Sequence, residues 1–456
     1  MTTFINDGLG GKLLATTNRC LAGSYASRKL LRTIPIAHDL DSVTDIDQAH
    51  EVDPESVGSS IAAINAIWSA AQNLYSTGYY PALMLCVRRR GKIVLNRAIG
   101  HADGFQAHQD ASDLVPVTIN TPACVYSTSK AMTAILIHKL AEQGTINLLD
   151  PVSHIIPEFA ANGKARLTIY QILSHRGGVP GIPADEPATT VANHARMLEL
   201  ICAAKPLDEL GRNQAYHALT GGTILREIVE RVTGKSIRDY WRTYFKRPMN
   251  FRYLDYGATT TDHKLMARDY VSGAHLPDAM VQYLKPYLGV DVEKDGETLN
   301  QYDFYAEPIA AGNMIATAEE LSRFFQMLLD DGAYGGKQIV DALTVHRATM
   351  ETSPHRVDAV LKIPLRFSAG LMMGGEGFSL FGRKTPRAFG HLGLVNIVGW
   401  ADPERDISVG LITTGKPLLA PNLAYFIMLI EAISGGMSRD LMGSQLHWQS
   451  AMPRAA

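Results

Sequence analysis

The chain has 456 residues, 46% of them hydrophobic and 19% charged, which is the composition of a globular protein long enough to bury one large core or two. Its formal net charge of −2 provides no overall attraction to nucleic acid or to anionic membranes, so the sequence predicts neither as a partner.

The cysteines and the apolar segments indicate the cellular compartment. Four cysteines stand at irregular spacing without a CxxC pair, at Cys20, Cys86, Cys124 and Cys202. They predict neither a disulfide framework nor a zinc site, which fits a reducing compartment. The N-terminus lacks the basic region and apolar run of a secretory signal, and the longest apolar stretch, 423–433, is too short to span a bilayer. We therefore expect a cytoplasmic protein.

In chain order, the first predicted elements are an irregular segment, a helix and a hairpin. Residues 1–55 lack sustained periodicity, whereas apolar residues recur at helical spacing over 61–75. Segments 82–87 and 92–98 have the composition of two strands. The basic run Arg88-Arg89-Arg90 between them predicts an exposed hairpin turn.

The later elements are helical first and then rich in strands. A strongly helical run over 126–143 ends at Gly144, which fits a C′ glycine. The middle of the chain, 165–305, alternates helical stretches with turns rich in glycine and proline. The remaining predicted elements are a helix over 317–329, strands over 367–373, 378–381, 397–401 and 407–413, and a helix over 423–433.

This order of elements predicts the fold class. Sheet-forming segments at both ends of the chain, with helices between them, indicate one α/β (α+β) core that carries a mostly helical insertion. The predicted divisions are an N-terminal extension over 1–55, a core built from 56–165 and 306–456, and the insertion over 166–305.

The start of the helix at 126–143 carries an S-x-x-K motif, Ser127-Thr128-Ser129-Lys130. Residues i and i+3 share a helix face, so the Ser127 hydroxyl and the Lys130 amine are within reach of each other. Unpaired backbone N–H groups in the first turn favour a developing oxyanion. The rest of the helix is apolar on nearly every face, so burial would lower the pKa of Lys130 and let its neutral amine act as a base.

The motif has a structural interpretation as well. A chain of this length contains about one S-x-x-K by chance, although Ser127 is the only serine here with lysine three residues later. The segment could be a helix start capped by hydroxyl residues, with Lys130 extending its amine to solvent. The motif alone supports the two interpretations equally.

Further segments match the same chemistry in a fixed order. A tyrosine segment spans 213–222, and a glycine-containing strand spans 389–395. With the S-x-x-K helix, they resemble the serine β-lactamase and penicillin-binding protein superfamily, and within it the class C β-lactamase-like esterases, or family VIII carboxylesterases. The resemblance covers roughly 60–435. Other matching segments are Leu149-Asp150-Pro151-Val152, Leu173-Ser174-His175-Arg176-Gly177-Gly178, Ala310-Ala311-Gly312-Asn313 and Asp402-Pro403-Glu404.

The resemblance implies a role for each matching residue. Ser127 and Lys130 match the nucleophile and its lysine, and Tyr216 matches the tyrosine of the family's Y-x-N motif, which forms the general acid/base pair with the lysine. His391-Leu392-Gly393 stands in the place of the family's K-T-G strand and would bind substrate. The backbone N–H groups of Ser127 and Leu394 would form the oxyanion hole. The family's fold is an antiparallel sheet flanked by helices, with a mostly helical insertion.

Two departures from the family's motifs bear on the substrate. Tyr216-His217-Ala218 lacks the asparagine of Y-x-N, so an amide that would contact the lysine and an acyl amide is missing. His391-Leu392 offers a weaker, pH-dependent charge and an apolar side chain where the family has lysine and threonine. Both changes favour neutral esters over anionic lactams.

The predicted function is therefore a serine hydrolase that cleaves small carboxylic esters through an acyl-enzyme on Ser127, with transfer to an alcohol as a second outcome. Its partner would be a small-molecule ester. None of the 15 histidines forms an H-E-x-x-H, and the chain contains no G-x-S-x-G or dinucleotide fingerprint, so no metal or other cofactor is expected. The sequence leaves the oligomeric state open.

Two alternatives remain. A β-lactamase or D-alanyl-D-alanine peptidase would fit the superfamily, but the missing K-T-G and Y-x-N argue against it. A non-catalytic penicillin-binding-like scaffold is opposed by the intact Ser127, Lys130 and Tyr216. An aromatic cluster could line an acyl pocket or form the core of the insertion; its members are Tyr240, Trp241, Tyr244, Phe245, Phe251, Tyr253 and Tyr256.

Overall fold

One antiparallel sheet of ten strands forms the centre of the fold. The computed structural model describes residues 31–105, 113–352, 355–377 and 379–439. Within these ranges the strands are β1 (Leu31–Arg32), β2 (Thr44–Ile46), β3 (Ala82–Arg89), β4 (Lys92–Asp103), β5 (Val115–Pro116), β6 (Ala123–Cys124), β7 (Asp255–Tyr256), β8 (Gly273–Ala274), β9 (Met314–Ala316), β10 (Ala333–Tyr334), β11 (Lys337–Gln338), β12 (Arg356–Val357), β13 (Pro364–Phe367), β14 (Met372–Met373), β15 (Phe389–Leu392), β16 (Val398–Asp402) and β17 (Ile407–Thr413).

The large sheet brings the two ends of the chain together. Its strands follow the order β12-β13-β14-β15-β16-β17-β3-β4-β2, with β5 beside β4. The last strand, β17, pairs with the hairpin strand β3 over seven residue pairs. A short three-stranded sheet has the order β6-β9-β7, and its strand β6 lies directly before the S-x-x-K segment in the chain.

Helices cover both faces of this sheet. Helix α10 packs on β16, β17 and β3, whereas α1 packs on α12 and β4. The helices of the described ranges are α1 (Ile61–Tyr75), α2 (Ser129–Glu142), α3 (Ile169–Leu173), α4 (His194–Ala203), α5 (Thr220–Thr233), α6 (Ile237–Trp241), α7 (Thr260–His263), α8 (Asp278–Leu288), α9 (Asp303–Ala306), α10 (Ala318–Leu329), α11 (Ala342–Thr349) and α12 (Leu423–Gly436).

The two-residue period of a strand explains how β3 serves both layers. Leu83, Leu85 and Val87 belong to the apolar cluster shared with α1 and α12, whereas Met84 and Cys86 belong to the cluster on the α10 side. Successive side chains of a strand point to opposite faces, so the part of β3 that is buried on both faces, 82–87, is apolar at every position. The predicted fold class, an antiparallel sheet flanked by helices, is therefore confirmed.

The turn between β3 and β4 differs from the predicted exposed basic run. The turn itself is Arg90-Gly91, with φ of 50° and 74°, the positive values that tight two-residue hairpins require. Arg89 is 1% exposed, and its guanidinium donates to the carbonyls of Arg405 and Ser438. The prediction is wrong for Arg89 because carbonyls from distant segments satisfy its guanidinium in the interior, which no local pattern reveals.

Other predicted elements are partly corrected. The helix over 61–75 and the strand over 407–413 are confirmed. The segment 367–373 is not one strand, because the chain reverses at Gly370 (φ 117°) and β13 pairs with β14. Of the predicted strand 378–381, residue 378 lies outside the described residues and 379–381 form no strand.

The predicted domain divisions and the cytoplasmic location stay predictions. Residues 1–30 of the predicted extension lie outside the described residues, while β2 within it forms an edge of the large sheet. Helices α3 to α8 lie within the predicted insertion. Across the described ranges, no helix is both long enough and apolar enough to cross a membrane.

Candidate active site

Ser127 lies in a single turn of 3₁₀ helix, Tyr126–Thr128, that leads directly into α2. In a 3₁₀ turn, residues i and i+3 lie almost above one another. Lys130, in the first turn of α2, accordingly places Nζ 2.8 Å from Ser127 Oγ. The predicted pairing of the two side chains is therefore present in the structure.

The surroundings of Lys130 favour a neutral amine. The residue is 8% exposed, and the other contact of Nζ is a hydrogen bond of 2.9 Å to the carbonyl of Ala311. Burial holds the pKa of Lys130 well below its usual range, because the charged form loses its hydration. The alternative of a lysine that extends to solvent does not describe this side chain.

Tyr216 completes the cluster around Ser127. Its side chain lies beside Lys130, whose Nζ is 5.1 Å from the centroid of the Tyr216 ring. The backbone N–H of Tyr216 donates to Asp358 Oδ1 at 3.0 Å, which anchors the segment. Burial raises the pKa of Tyr216, so the phenol keeps its proton. The structure thus brings together the three predicted catalytic side chains.

The end of β15 lies against the nucleophile segment. The Thr128 hydroxyl donates to the carbonyl of His391 at 3.3 Å. Gly393 donates its N–H to Ile397 at 2.7 Å, and a Cβ at Gly393 would lie only 2.6 Å from the carbonyl oxygen of Val125. A side chain here would separate the strand from the Ser127 turn, which explains the need for glycine.

The predicted second oxyanion donor follows immediately. Leu394 is half-buried at the start of the turn into β16. The next two residues, Val395 and Asn396, have φ of 48° and 59°, and such values are uncommon away from glycine. Leu392, the last residue of β15, is also half-buried.

His391 does not carry the pH-dependent charge expected of it. Its side chain is fully buried, and burial together with Lys130 lowers its pKa to about 3. The imidazole is therefore neutral at ordinary pH. Its Nδ1 lies 2.7 Å from the carbonyl oxygen of Leu392 and so carries the proton, which leaves Nε2 as a buried acceptor with no partner among the described residues.

Two further histidines, to which the sequence assigned no role, lie behind Tyr216. The ring of His175 lies 4.7 Å from that of Tyr216 and 5.9 Å from that of His217. The backbone N–H of His217 donates to His175 Nδ1 at 3.1 Å, and Val179 donates its N–H to His217 Nε2 at 3.2 Å. Burial lowers the pKa of His217 to about 4 and that of His175 well below its usual range.

These neutral imidazoles keep a second positive charge away from Lys130. Their segments contributed to the family resemblance, but a single histidine in a loop has no local feature that reveals its burial. The sequence also did not reveal the role of Asp358, which holds the Tyr216 backbone, because it lies 142 residues further along the chain.

The aromatic cluster considered for an acyl pocket lies mostly in the core. Trp241 stacks on Phe245 with centroids 4.7 Å apart and donates its indole N–H to the carbonyl of Leu254. Tyr256 is bonded to Thr133 of α2 at 2.7 Å. The described contacts therefore favour the core interpretation over the pocket.

One group among the described residues has the geometry of a metal site. His194, Glu227 and Glu230 bring one potential ligand atom each within 4.8 Å of one another. These atoms already have partners, since His194 pairs with Glu227 at 2.7 Å and Arg226 pairs with Glu230 at 2.9 Å. Because an arginine beside the ligands repels a cation, we assign no metal here.

A family model and three known proteins are similar to this chain. The family model described as Beta-lactamase matches residues 69–431. The Esterase/beta-lactamase LipL of Mycobacterium tuberculosis (strain ATCC 25618 / H37Rv) is 29% identical over 350 residues, which are 73% of this chain and 78% of that protein. Two crystal structures are similar to the structure of this chain: that of a penicillin-binding protein homologue from Caulobacter crescentus, with a TM-score of 0.71, and that of a family VIII carboxylesterase, with a TM-score of 0.68. Each is 24% identical, covers 83% of this chain and 99% of its own, and at this identity shows a likeness of fold.

Proposed function

This chain belongs to the beta-lactamase family of serine hydrolases, and we propose that within it the protein is a carboxylesterase that acts through an acyl-enzyme on Ser127. The observation that carries the proposal is the 2.8 Å contact between Lys130 Nζ and Ser127 Oγ in a site that burial has largely dehydrated. A neutral amine at this distance can accept the serine proton as the nucleophile attacks.

In the acylation step, Ser127 Oγ attacks the ester carbonyl while its proton passes to Lys130 Nζ. The carbonyl oxygen becomes an oxyanion, which the backbone N–H groups of Ser127 and Leu394 would stabilise. The face of the Tyr216 ring, 5.1 Å from Nζ, favours the lysine cation that forms.

In the second half of the step, the leaving alkoxide needs a proton. Tyr216 keeps its phenolic proton because burial raises its pKa, so it can donate that proton to the alkoxide and recover one from protonated Lys130. Deacylation repeats the sequence with water as the nucleophile, after which Ser127 regains its proton. At the end of the cycle Ser127, Lys130 and Tyr216 have the protons with which they began, and the ester and water have become a carboxylic acid and an alcohol.

The surroundings of the site favour a neutral ester over an anionic lactam. His391 stands where the family's strand has a lysine, and the neutral imidazole provides no fixed charge for a carboxylate. Leu392 beside it offers no hydroxyl, and Ala218 offers no amide. A substrate without charge fits these side chains best.

Hydrolysis assays with purified protein test the proposal. We expect turnover of p-nitrophenyl acetate and p-nitrophenyl butyrate, and turnover of nitrocefin or of a D-alanyl-D-alanine peptide that is at least about 10²-fold slower. Ser127→Ala should abolish ester hydrolysis, whereas Ser153→Ala, which removes a surface hydroxyl bonded to Ala165, should not. Faster turnover of the lactam or the peptide would replace the esterase assignment with the corresponding alternative.

Covalent labelling tests the nucleophile separately. An organophosphonate ester should add one phosphonyl group, and mass spectrometry should map it to the peptide that contains Ser127. A protein that hydrolyses no ester and takes up no phosphonate would contradict the proposal.

A further inference from the structure

The residue before the proposed nucleophile has a strained backbone. Tyr126 has φ of 45°, a conformation that is rare for a bulky side chain because its Cβ crowds the following carbonyl. The peptide bond between Tyr126 and Ser127 carries the Ser127 N–H, and its orientation also sets the direction of the Ser127 side chain. A strained conformation of this kind persists only when the surrounding structure holds it.

The side chain of Tyr126 is held by a buried ion pair. Its hydroxyl donates to Asp269 Oδ2, and Lys416 Nζ lies 2.5 Å from Asp269 Oδ1. Lys416 Nζ also lies 5.1 Å from the centroid of the Tyr126 ring, so the tyrosine contacts both members of the pair. All three residues are buried: Tyr126 is 5% exposed, Asp269 is 7% exposed and Lys416 is 4% exposed.

Further hydrogen bonds hold Asp269 and Lys416 in place. The backbone N–H of Asp269 donates to Asn300 Oδ1, and Asn300 Nδ2 donates to the backbone carbonyl of Asp269, both at 2.8 Å. Lys416 donates to the carbonyl of Thr413 at 3.0 Å, at the end of β17. Burial raises the pKa of Tyr126 well above its usual range, so its hydroxyl remains a donor. The strained turn is thus tied to the central sheet.

We propose that Tyr126, Asp269 and Lys416 form a positioning network that holds Ser127 in its reactive orientation. The contacts of the network are separate from those of Ser127 Oγ and Lys130 Nζ, and it acts through the peptide bond that precedes Ser127. This inference rests on the proposed function, because the strained backbone of Tyr126 affects the reaction only if Ser127 is the nucleophile. Displacements of about 1 Å at a reacting atom can lower a rate by about 10²-fold.

A buried ion pair could also serve stability alone, and the two roles predict different results. A structural role predicts that loss of the Tyr126 hydroxyl lowers the unfolding midpoint and leaves the kinetics of folded protein unchanged. A positioning role predicts a lower rate of reaction at Ser127 with little change in substrate binding.

The Tyr126→Phe variant of the full chain distinguishes these roles. We expect kcat for p-nitrophenyl butyrate to fall by about 10-fold or more, KM to stay within about 2-fold, and the rate constant for phosphonate inactivation to fall in parallel with kcat. The matched control is Tyr240→Phe, which removes another buried hydroxyl, one that is bonded to Gln143 at the far end of α2. The control should keep kcat and the inactivation rate within about 2-fold of wild type.

A second pair of variants tests Asp269 as the acceptor of the hydrogen bond from the Tyr126 hydroxyl. Asp269→Asn keeps an oxygen that can accept from Tyr126, so it should retain more of kcat and of the inactivation rate than Asp269→Ala. If Asp269→Ala does not fold, Tyr126→Phe and Asp269→Asn still decide the question.

The outcomes separate this inference from the proposed function. Unchanged kcat and inactivation rate in folded Tyr126→Phe, with a reactive wild type and an inert Ser127→Ala, overturn the network and leave the esterase in place. An inert wild type overturns the proposed function itself.

Discussion

Lys130 Nζ lies 5.1 Å from the centroid of the Tyr216 ring, so the amine that accepts the serine proton faces an aromatic surface. Burial disfavours the lysine cation in the resting site, whereas the ring stabilises it when it forms. This relationship suits a base that is neutral at rest and charged only during the reaction.

The first prediction concerns the pH dependence of ester hydrolysis. Because the active form of Lys130 is neutral and its pKa lies well below 10.5, kcat/KM should rise with pH through that lowered pKa and be lost as pH falls below it. The raised pKa of Tyr216 leaves its proton in place across this range. Rates with p-nitrophenyl butyrate from pH 4.5 to 10 give the profile. A rise that begins only near pH 10, as for an exposed lysine, would contradict the assignment.

The second prediction concerns the phenolic proton of Tyr216. Tyr216→Phe should lower kcat by about 10²-fold or more and leave KM nearly unchanged, because it removes the proton donor for the leaving alkoxide. Steady-state kinetics with p-nitrophenyl butyrate provide the measurement. Tyr283→Phe, which removes a hydroxyl bonded to Val360, should behave as wild type. Near-wild-type turnover of Tyr216→Phe would remove this residue from the mechanism.

The third prediction concerns the contact between β15 and the nucleophile turn. Gly393→Ala should lower kcat/KM by about 10²-fold, because its methyl group would press on Val125 and Ile397 and move the Leu394 N–H. We also expect a loss of about 1–3 kcal/mol in the free energy of unfolding.

Gly435→Ala is the matched control for this change. Gly435 is an exposed residue of α12 with open space around it, so alanine should leave kcat/KM unchanged and stabilise the helix by up to about 1 kcal/mol. Kinetics and urea unfolding of both variants test the pair. Wild-type kcat/KM in Gly393→Ala would show that the strand does not help to form the oxyanion hole.

The fourth prediction concerns stability in acid. Among the imidazoles whose pKa values burial lowers, the most affected are His138 and His217, lowered to about 4, His391, lowered to about 3, and His175, lowered well below the usual range. Above about pH 6.5 both folded and unfolded states leave these groups neutral, so their stability contribution is complete. As pH falls from about 6.5 towards 4, only the unfolded state takes up the protons, and each group costs about 1.4 kcal/mol per pH unit.

Urea unfolding at pH 7.5, 6 and 5 measures this loss. His138→Gln should reduce the slope of unfolding free energy against pH by about one proton, since glutamine can still donate to Ala369. Equal slopes for wild type and His138→Gln would contradict the prediction.

Much of the secondary structure followed from local patterns. Helix α1 has the bounds that its apolar spacing predicts, and the C′ glycine expected after α2 is Gly144, with φ of 70°. Conversely, the segment 367–373 was mistaken for one strand because a continuous apolar run does not reveal the reversal at Gly370. The family resemblance, carried by motif order, is confirmed by the Beta-lactamase match over 69–431.

The sequence by itself determined which residues could react, because the S-x-x-K spacing brings Ser127 and Lys130 together through local helical geometry. Only the tertiary structure decided their protonation states and their surroundings. The carbonyl of Ala311, which lies 181 residues further along the chain, contacts Lys130. Burial lowers the pKa of His391, which contacts Thr128 through its carbonyl and lies with its ring 6.1 Å from that of Tyr216. Desolvation depends on everything packed around a group, so a pattern of neighbouring residues predicts the chemistry available but not the charge at which it operates.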